Sequence, residues 1–189
     1  LLPDGGRQVI NFVMPGDLIG LQAGLLGEMQ HSVDAVTDMT LCVFARADLW
    51  SLFKSCPERA YDLTWLSAHE ELIVDENLLG VGQRSAMERI AMLLVHLYKR
   101  ARRVGEGDES GVNFPLNQQH IADALGLSLV HANKSLRRLR AYGLHELSAN
   151  RLRLLKVEAL QRLAPERGVF QARYLPDGSG DVPDRRGPE

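Results

Sequence analysis

Val130, His131, Asn133, Lys134, Arg137 and Arg138 lie within nine residues of one another and could read and hold a polyanion. An Asn amide can pair with adenine in bidentate fashion, a Lys ammonium can reach the acceptors of guanine, and Val can touch a thymine methyl. Arginines further along the same helix suit phosphate. The stretch GLSLVHANKSLRRLRAYGL, residues 126–144, spaces Ala132, Leu136 and Leu139 by four and three, so one face is apolar. Its other face carries Lys134, Arg137, Arg138 and Arg140 with no acid among them. Val130, His131, Asn133 and Lys134 are therefore the candidates for base readout. Arg137 and Arg138 are candidates for phosphate contact.

The elements that must position these residues are legible around them. Asn117 can cap a helix whose inward residues are Ile121, Ala122 and Leu125, and Gly126 ends it in the left-handed conformation that glycine adopts cheaply. Ser128 then caps the next helix. Two short helices joined by a glycine-containing turn make a helix-turn-helix, which sets its second helix in the major groove of DNA. HELSANRLRLL reads as a hairpin turning at Asn150–Arg151, a wing whose Arg151 can reach the DNA backbone. Asn117, Gln118, Gln119 and Ser128, at the helix starts, complete the candidate phosphate and positioning set. The competing reading is a helical hairpin with a solvated basic face.

Charge is segregated along the chain. The 189 residues carry a formal net charge of −2, yet residues 1–80 hold four cations against twelve acids, and residues 117–156 hold seven cations against Asp123 and Glu146. Two modules are expected, the second facing a polyanion. Residues 1–46 read as short strands with Gly-rich turns, a sandwich or roll too short to close by itself. The chain is expected to be a fragment, with further strands of the roll preceding Leu1. A short helix follows and breaks at Pro57. From Glu58, Tyr61, Trp65, Ala68, Leu72 and Leu79 mark a coiled-coil seam on an otherwise acidic helix, which points to a homodimer. Packing against the chain's own roll is the alternative use of that helix. LLGVGQ is expected to break it at Gly80 and Gly82 and so to form a hinge. RSAMERIAMLLVHLYKRARRVG is an amphipathic helix burying Ile90, Leu93, Leu94 and Leu97; GEGDESG reads as a flexible loop and VNFPL as a short strand. The domains are then 1–56, a partial sensor roll; 57–82, dimerisation helix and hinge; 83–160, the winged helix-turn-helix; and 161–189, a disordered tail whose Arg185–Arg186 pair is solvated.

Taken together, PGDLIG at 15–20, SAMERIAMLLVHL at 85–97 and LNQQHIADALGLS at 116–128 resemble the Crp/Fnr family of bacterial transcription regulators, and the likeness runs to about Leu160. It implies an α+β protein: an N-terminal β-roll of the jelly-roll-like, cyclic-nucleotide-binding type, a long dimerisation helix and a C-terminal winged helix. It implies a homodimer reading a palindromic site in double-stranded DNA, with RNA polymerase as a further partner. The residues depart from the family in three places. The family's recognition helix presents Glu, then Ser or Gly, then Arg; Val130, Asn133 and Lys134 stand there, so a different DNA sequence is expected. Cyclic-nucleotide binders carry a Glu and an Arg-Ser or Arg-Thr pair where this chain has Leu21 and His31–Ser32, so cyclic AMP is not expected. Oxygen-sensing members hold an iron–sulfur cluster on four cysteines, one of them at the position of Cys42. The other three are expected upstream of Leu1, and Cys42 is expected to be a buried strand residue.

Nothing supports an enzyme. His31, His69, His96, His120, His131 and His145 show no metal-ligand spacing and no neighbouring nucleophile signature. No apolar run approaches a membrane span, and the default compartment is the cytoplasm. The other reading of a different class is a sensor whose basic helix binds an acidic protein.

Overall fold

The computed structural model describes residues 6–165. Its order is α1 (Leu21–Leu26), α2 (Arg46–Ser55), α3 (Pro57–Gln83), α4 (Ala86–Arg103), β1 (Gly107–Asp108), β2 (Gly111–Asn113), α5 (Gln118–Leu125), α6 (Leu129–Ala141), β3 (His145–Ser148), β4 (Arg151–Leu154) and α7 (Val157–Leu163). The architecture is α+β, helical with a small antiparallel sheet of order β1-β2-β4-β3.

α4 is the axis of the core. Ser85 starts it with a capping box: its Oγ accepts from Glu88 N and its N–H donates to Glu88 Oε2 at 2.7 Å. The Ser85 hydroxyl and then its N–H, acting on the Glu88 carboxyl, hold it below its ordinary range. From Ile90 to Leu97 every residue of α4 is buried, because α5, α6, α7 and the sheet close around it. Val112 of β2, Leu152 and Leu154 of β4 and Leu160 of α7 complete that core. Folded structure continues through Leu163 to the buried Ala164, past residue 160, where a disordered tail is expected to begin. Arg185–Arg186 lies outside the described residues.

The β3–β4 hairpin pairs His145 with Leu154 and Ser148 with Arg151. Its two turn residues are Ala149 and Asn150, both at positive φ (47° and 58°), one position earlier than the expected turn. Two such residues in a two-residue loop match the twist of antiparallel strands. GEGDESG, expected as a loop, instead supplies β1 and the turn into β2. Gly111 sits at φ 121°, and a Cβ there would lie 2.4 Å from the Leu152 carbonyl oxygen, so only glycine allows β2 to approach β4 this closely.

At three points the structure departs from the sequence reading. Among the described residues before α2, no strand forms: residues 7–19 and 28–45 carry no ladder, and the sheet lies wholly within residues 107–154. A strand is stable only where a neighbour takes up its N–H and C=O groups, and these segments have no such neighbour here. Val43 and Phe44 are accordingly 88% and 72% exposed, and Cys42 is exposed rather than buried in a strand. The second correction is that α3 runs unbroken through Gly80 and Gly82. Glycine lowers helix propensity by only about 1 kcal/mol, whereas Arg84 is extended and Ser85 caps the next helix, so the joint falls at 84–85. The third is a new contact: residues 7–17 lie along α4 and α5, with Val9, Phe12 and Met14 packed on the core of the C-terminal module.

Candidate nucleic-acid interface

Asn117 caps α5, its Oδ1 accepting from His120 N at 2.9 Å. Gly126, at φ 61°, ends α5, and Ser128 Oγ accepts from His131 N to begin α6. The turn between them is closed by Leu127 N donating to Ala122 O at 3.0 Å. Ala132, Leu136 and Leu139 are buried against α4 and α5, which fixes the rotation of α6 about its axis. The face left outward carries Val130, His131, Lys134, Arg137, Arg138 and Arg140, all exposed, with Val130 at 74%. Lys134, Arg137 and Arg138 form no ion pair among the described residues, so their charge is presented to solvent.

The remaining candidate site residues are placed less uniformly. Asn133 is half-buried, with Oδ1 turned inward and without a hydrogen-bond partner in the protein. A bidentate contact to adenine needs both amide groups outward, so Asn133 must rotate before it can read a base in that way. Gln118 is exposed at the start of α5, while Gln119 donates to Asp123 Oδ1 at 2.6 Å. Asn117 and Ser128 have their side-chain oxygens committed to the caps. Arg151 is tied to Asp108 and to Gly111 O, where it braces β4 against the β1–β2 turn rather than standing free at the wing tip. The hydroxyl and then the backbone N–H of Ser110 hold the Asp108 carboxyl below the usual carboxylate range. Between the wing and the helix starts, Phe114, Leu116, Asn117, Gln119, Leu129 and Asn150 line an open cleft of about 450 Å³.

Two charged residues matter here that sequence reasoning did not single out. Asp123 is the one acid between Asn117 and His145, and that isolation was the available signal. Arg89 was hidden by its place in an amphipathic helix. Its guanidinium donates to Val81 O (2.6 Å) and Arg84 O (2.9 Å) at the end of α3, and to Leu125 O (3.2 Å) at the end of α5. A cation there suits the negative ends of two helix dipoles and clamps the 84–85 joint to the helix-turn-helix. Beside it, Arg84 Nη2 pairs with the buried Glu76 Oε2 at 2.9 Å.

On α3, Ile73, Glu76 and Gly80 face inward, while the seam lies toward solvent. Tyr61 and Leu72 are 48% and 46% exposed, Ala68 is exposed, and Trp65 and Leu79 are half-buried. Trp65 stacks on His69 at 5.1 Å between ring centres. Leu21 lies in α1, and His31 and Ser32 are exposed; together they offer neither a carboxylate nor a guanidinium to a cyclic nucleotide, so these residues do not fit that ligand. Among the described residues, no three His, Cys, Asp or Glu side chains are grouped to hold a metal, and no helix is long and apolar enough to cross a membrane.

The comparisons with known proteins agree with this geometry. Residues 88–163 match a Crp-like helix-turn-helix domain, and residues 1–56 match a cyclic nucleotide-binding domain. The transcriptional activatory protein AadR of Rhodopseudomonas palustris is 30% identical over 164 residues, 87% of this chain and 67% of that protein. The nitrogen fixation regulation protein FixK of Rhizobium meliloti is 33% identical over 166 residues, 86% of this chain and 71% of that protein. The solved structure of FixK2 from Bradyrhizobium japonicum superposes with a TM-score of 0.57 at 24% identity, covering 64% of this chain and 59% of that one, and supports the fold. The chain thus spans about two thirds of the length of these curated relatives, and with both domain types and this level of identity it belongs to the Crp/Fnr family of transcription regulators.

Proposed function

We propose that this chain is a sequence-specific DNA-binding regulator that acts in the cytoplasm as a homodimer on a palindromic site, with its affinity set by a signal received in residues 1–56. The observation that carries the reading is the outward face of α6: exposed Val130 and His131, then Lys134, Arg137 and Arg138 with no acid paired to them among the described residues. Apolar and polar groups at the helix start can meet base edges while the cations behind them meet phosphate. An acidic protein partner would use the cations alone. The exposed seam on α3 supports a second copy, because Tyr61 and Leu72 are 48% and 46% exposed there. AadR bears an activator's name, and a productive contact with RNA polymerase belongs to the same proposal.

Selecting duplexes from a random-sequence pool tests it. An inverted repeat with half-sites about one helical turn apart is expected. Leu72→Glu should yield a monomer by sedimentation with unchanged circular dichroism, and it should lose the preference for the repeat over a single half-site. Sequence-blind binding by the unaltered protein, or a dimer untouched by Leu72→Glu, would refute the corresponding half of the proposal.

A further inference from the structure

The last turn of any helix leaves four carbonyls without helical partners. In α5 all four are taken. Ala122 O accepts from Gly126 N and Leu127 N at the turn. Leu125 O accepts from Arg89. The other two are taken by the sensor module: Asp123 O accepts from Val9 N at 3.1 Å, and Ala124 O from Gln8 Nε2 at 3.0 Å. Arg7 adds a charge pair, Nε to Asp123 Oδ2 at 3.0 Å, on the carboxylate whose Oδ1 holds Gln119. The segment is anchored further along by Arg100, which donates to Phe12 O at 2.9 Å and pairs with Asp17, and by Asn77 of α3, which donates to Ile10 O.

We propose that residues 7–9 are a strap that couples the sensor to the helix-turn-helix by capping α5 and neutralising Asp123, so that the docked strap is the DNA-competent state. The direction follows from charge. Asp123 lies one turn along α5 from Gln119, at the surface assigned to phosphate. With Arg7 docked, the carboxylate is paired; with the strap released, an unpaired negative charge stands beside that surface and two α5 carbonyls lose their donors. A sensor rearrangement that withdraws residues 7–9 therefore lowers DNA affinity without touching α6. This rests on the reading of α6 as the DNA-contacting helix, but the docking of the strap does not.

Two measurements on the full chain decide it. In hydrogen exchange, the Val9 amide should exchange roughly tenfold or more slowly than that of Val13, although neither lies in a helix or strand. In binding to a duplex selected by the unaltered protein, Arg7→Ala should weaken affinity roughly fivefold, the scale of a modest coupling between sites. In an Asp123→Asn background the same change should alter affinity by less than about twofold, since no charge is left to neutralise. Fast exchange at Val9 overturns the strap and leaves the DNA reading intact. Slow exchange with unchanged affinity in Arg7→Ala overturns the coupling and makes the contact purely structural. Sequence-blind binding by the unaltered protein would show itself before any variant is made and would count against the DNA reading itself.

Discussion

Lys134 and Arg137 stand one turn apart on α6, yet residues of this face answer to different parts of a duplex. Val130 and His131 stand at the helix start, where base edges rather than phosphates are met, so their substitution should change which duplex is preferred. Arg137 should act almost independently of sequence. Arg137→Ala is expected to weaken binding to selected and mixed-sequence duplexes alike and to reduce the slope of log affinity against log salt by about one. A salt titration of both duplexes checks this; loss of selectivity with an unchanged slope would move Arg137 from phosphate to base readout. The candidates drawn from residue type alone fared unevenly because type does not reveal commitment. Arg151 looked like a free cation in the sequence and is bound to Asp108, and Asn133 looked outward and has its oxygen turned in.

At the level of elements, the wing holds an avoidable strain. Ala149 occupies the left-handed region at φ 47°, followed by Asn150 at 58°. Asparagine followed by glycine suits such a turn better than alanine followed by asparagine. The double change Ala149→Asn with Asn150→Gly should raise stability by about 1 kcal/mol, read as a shift of the urea midpoint at constant slope. A destabilised double variant would mean that the turn is held by contacts of these side chains rather than by backbone preference. The helices and hairpin of residues 86–154 were readable because caps, apolar spacing and turn residues agree with one another there. The exceptions are informative. Gly80 and Gly82 suggest a break only if propensity decides, but the cap at Ser85 decides instead. β1 comes from a segment of loop composition, since two backbone pairings with β2 suffice to order it.

For the molecule as a whole, the central core sets a pH limit. His96 is buried in the middle of α4, and burial, followed by the charge of Arg100, pushes its pKa down to about 3 from an ordinary 6.5. Burial also lowers His145. The unfolded chain takes up a proton on His96 as pH falls through the ordinary value, and the folded chain does not until about 3. The stability contributed by neutral His96 is therefore complete above the ordinary value and is lost progressively on acidification between the two. Going from about pH 7 to about pH 5 should cost on the order of 2 kcal/mol. Urea unfolding at both pH values should show that loss, and His96→Leu should remove most of it, leaving the parts due to His145 and His69, both also lowered by burial. An unaltered pH dependence in His96→Leu would place the titration elsewhere.

Sequence by itself determined the helix-turn-helix, its basic face and the apolar stripe of α4, because each is encoded by neighbours within a turn or two of one another. It also carried the family resemblance, on motifs of the same local kind. Only the tertiary structure decided which charges are free and which are spent, since ion pairs such as Arg7 with Asp123 and Arg84 with Glu76 join residues that periodicity cannot relate. It also decided that the β-prone residues before α2 form no sheet among the described residues, because a strand, unlike a helix, takes its hydrogen bonds from another segment. The four carbonyls at the end of α5 show the same division: local sequence ends the helix at Gly126, and distant residues, Gln8, Val9 and Arg89, satisfy what that ending leaves open.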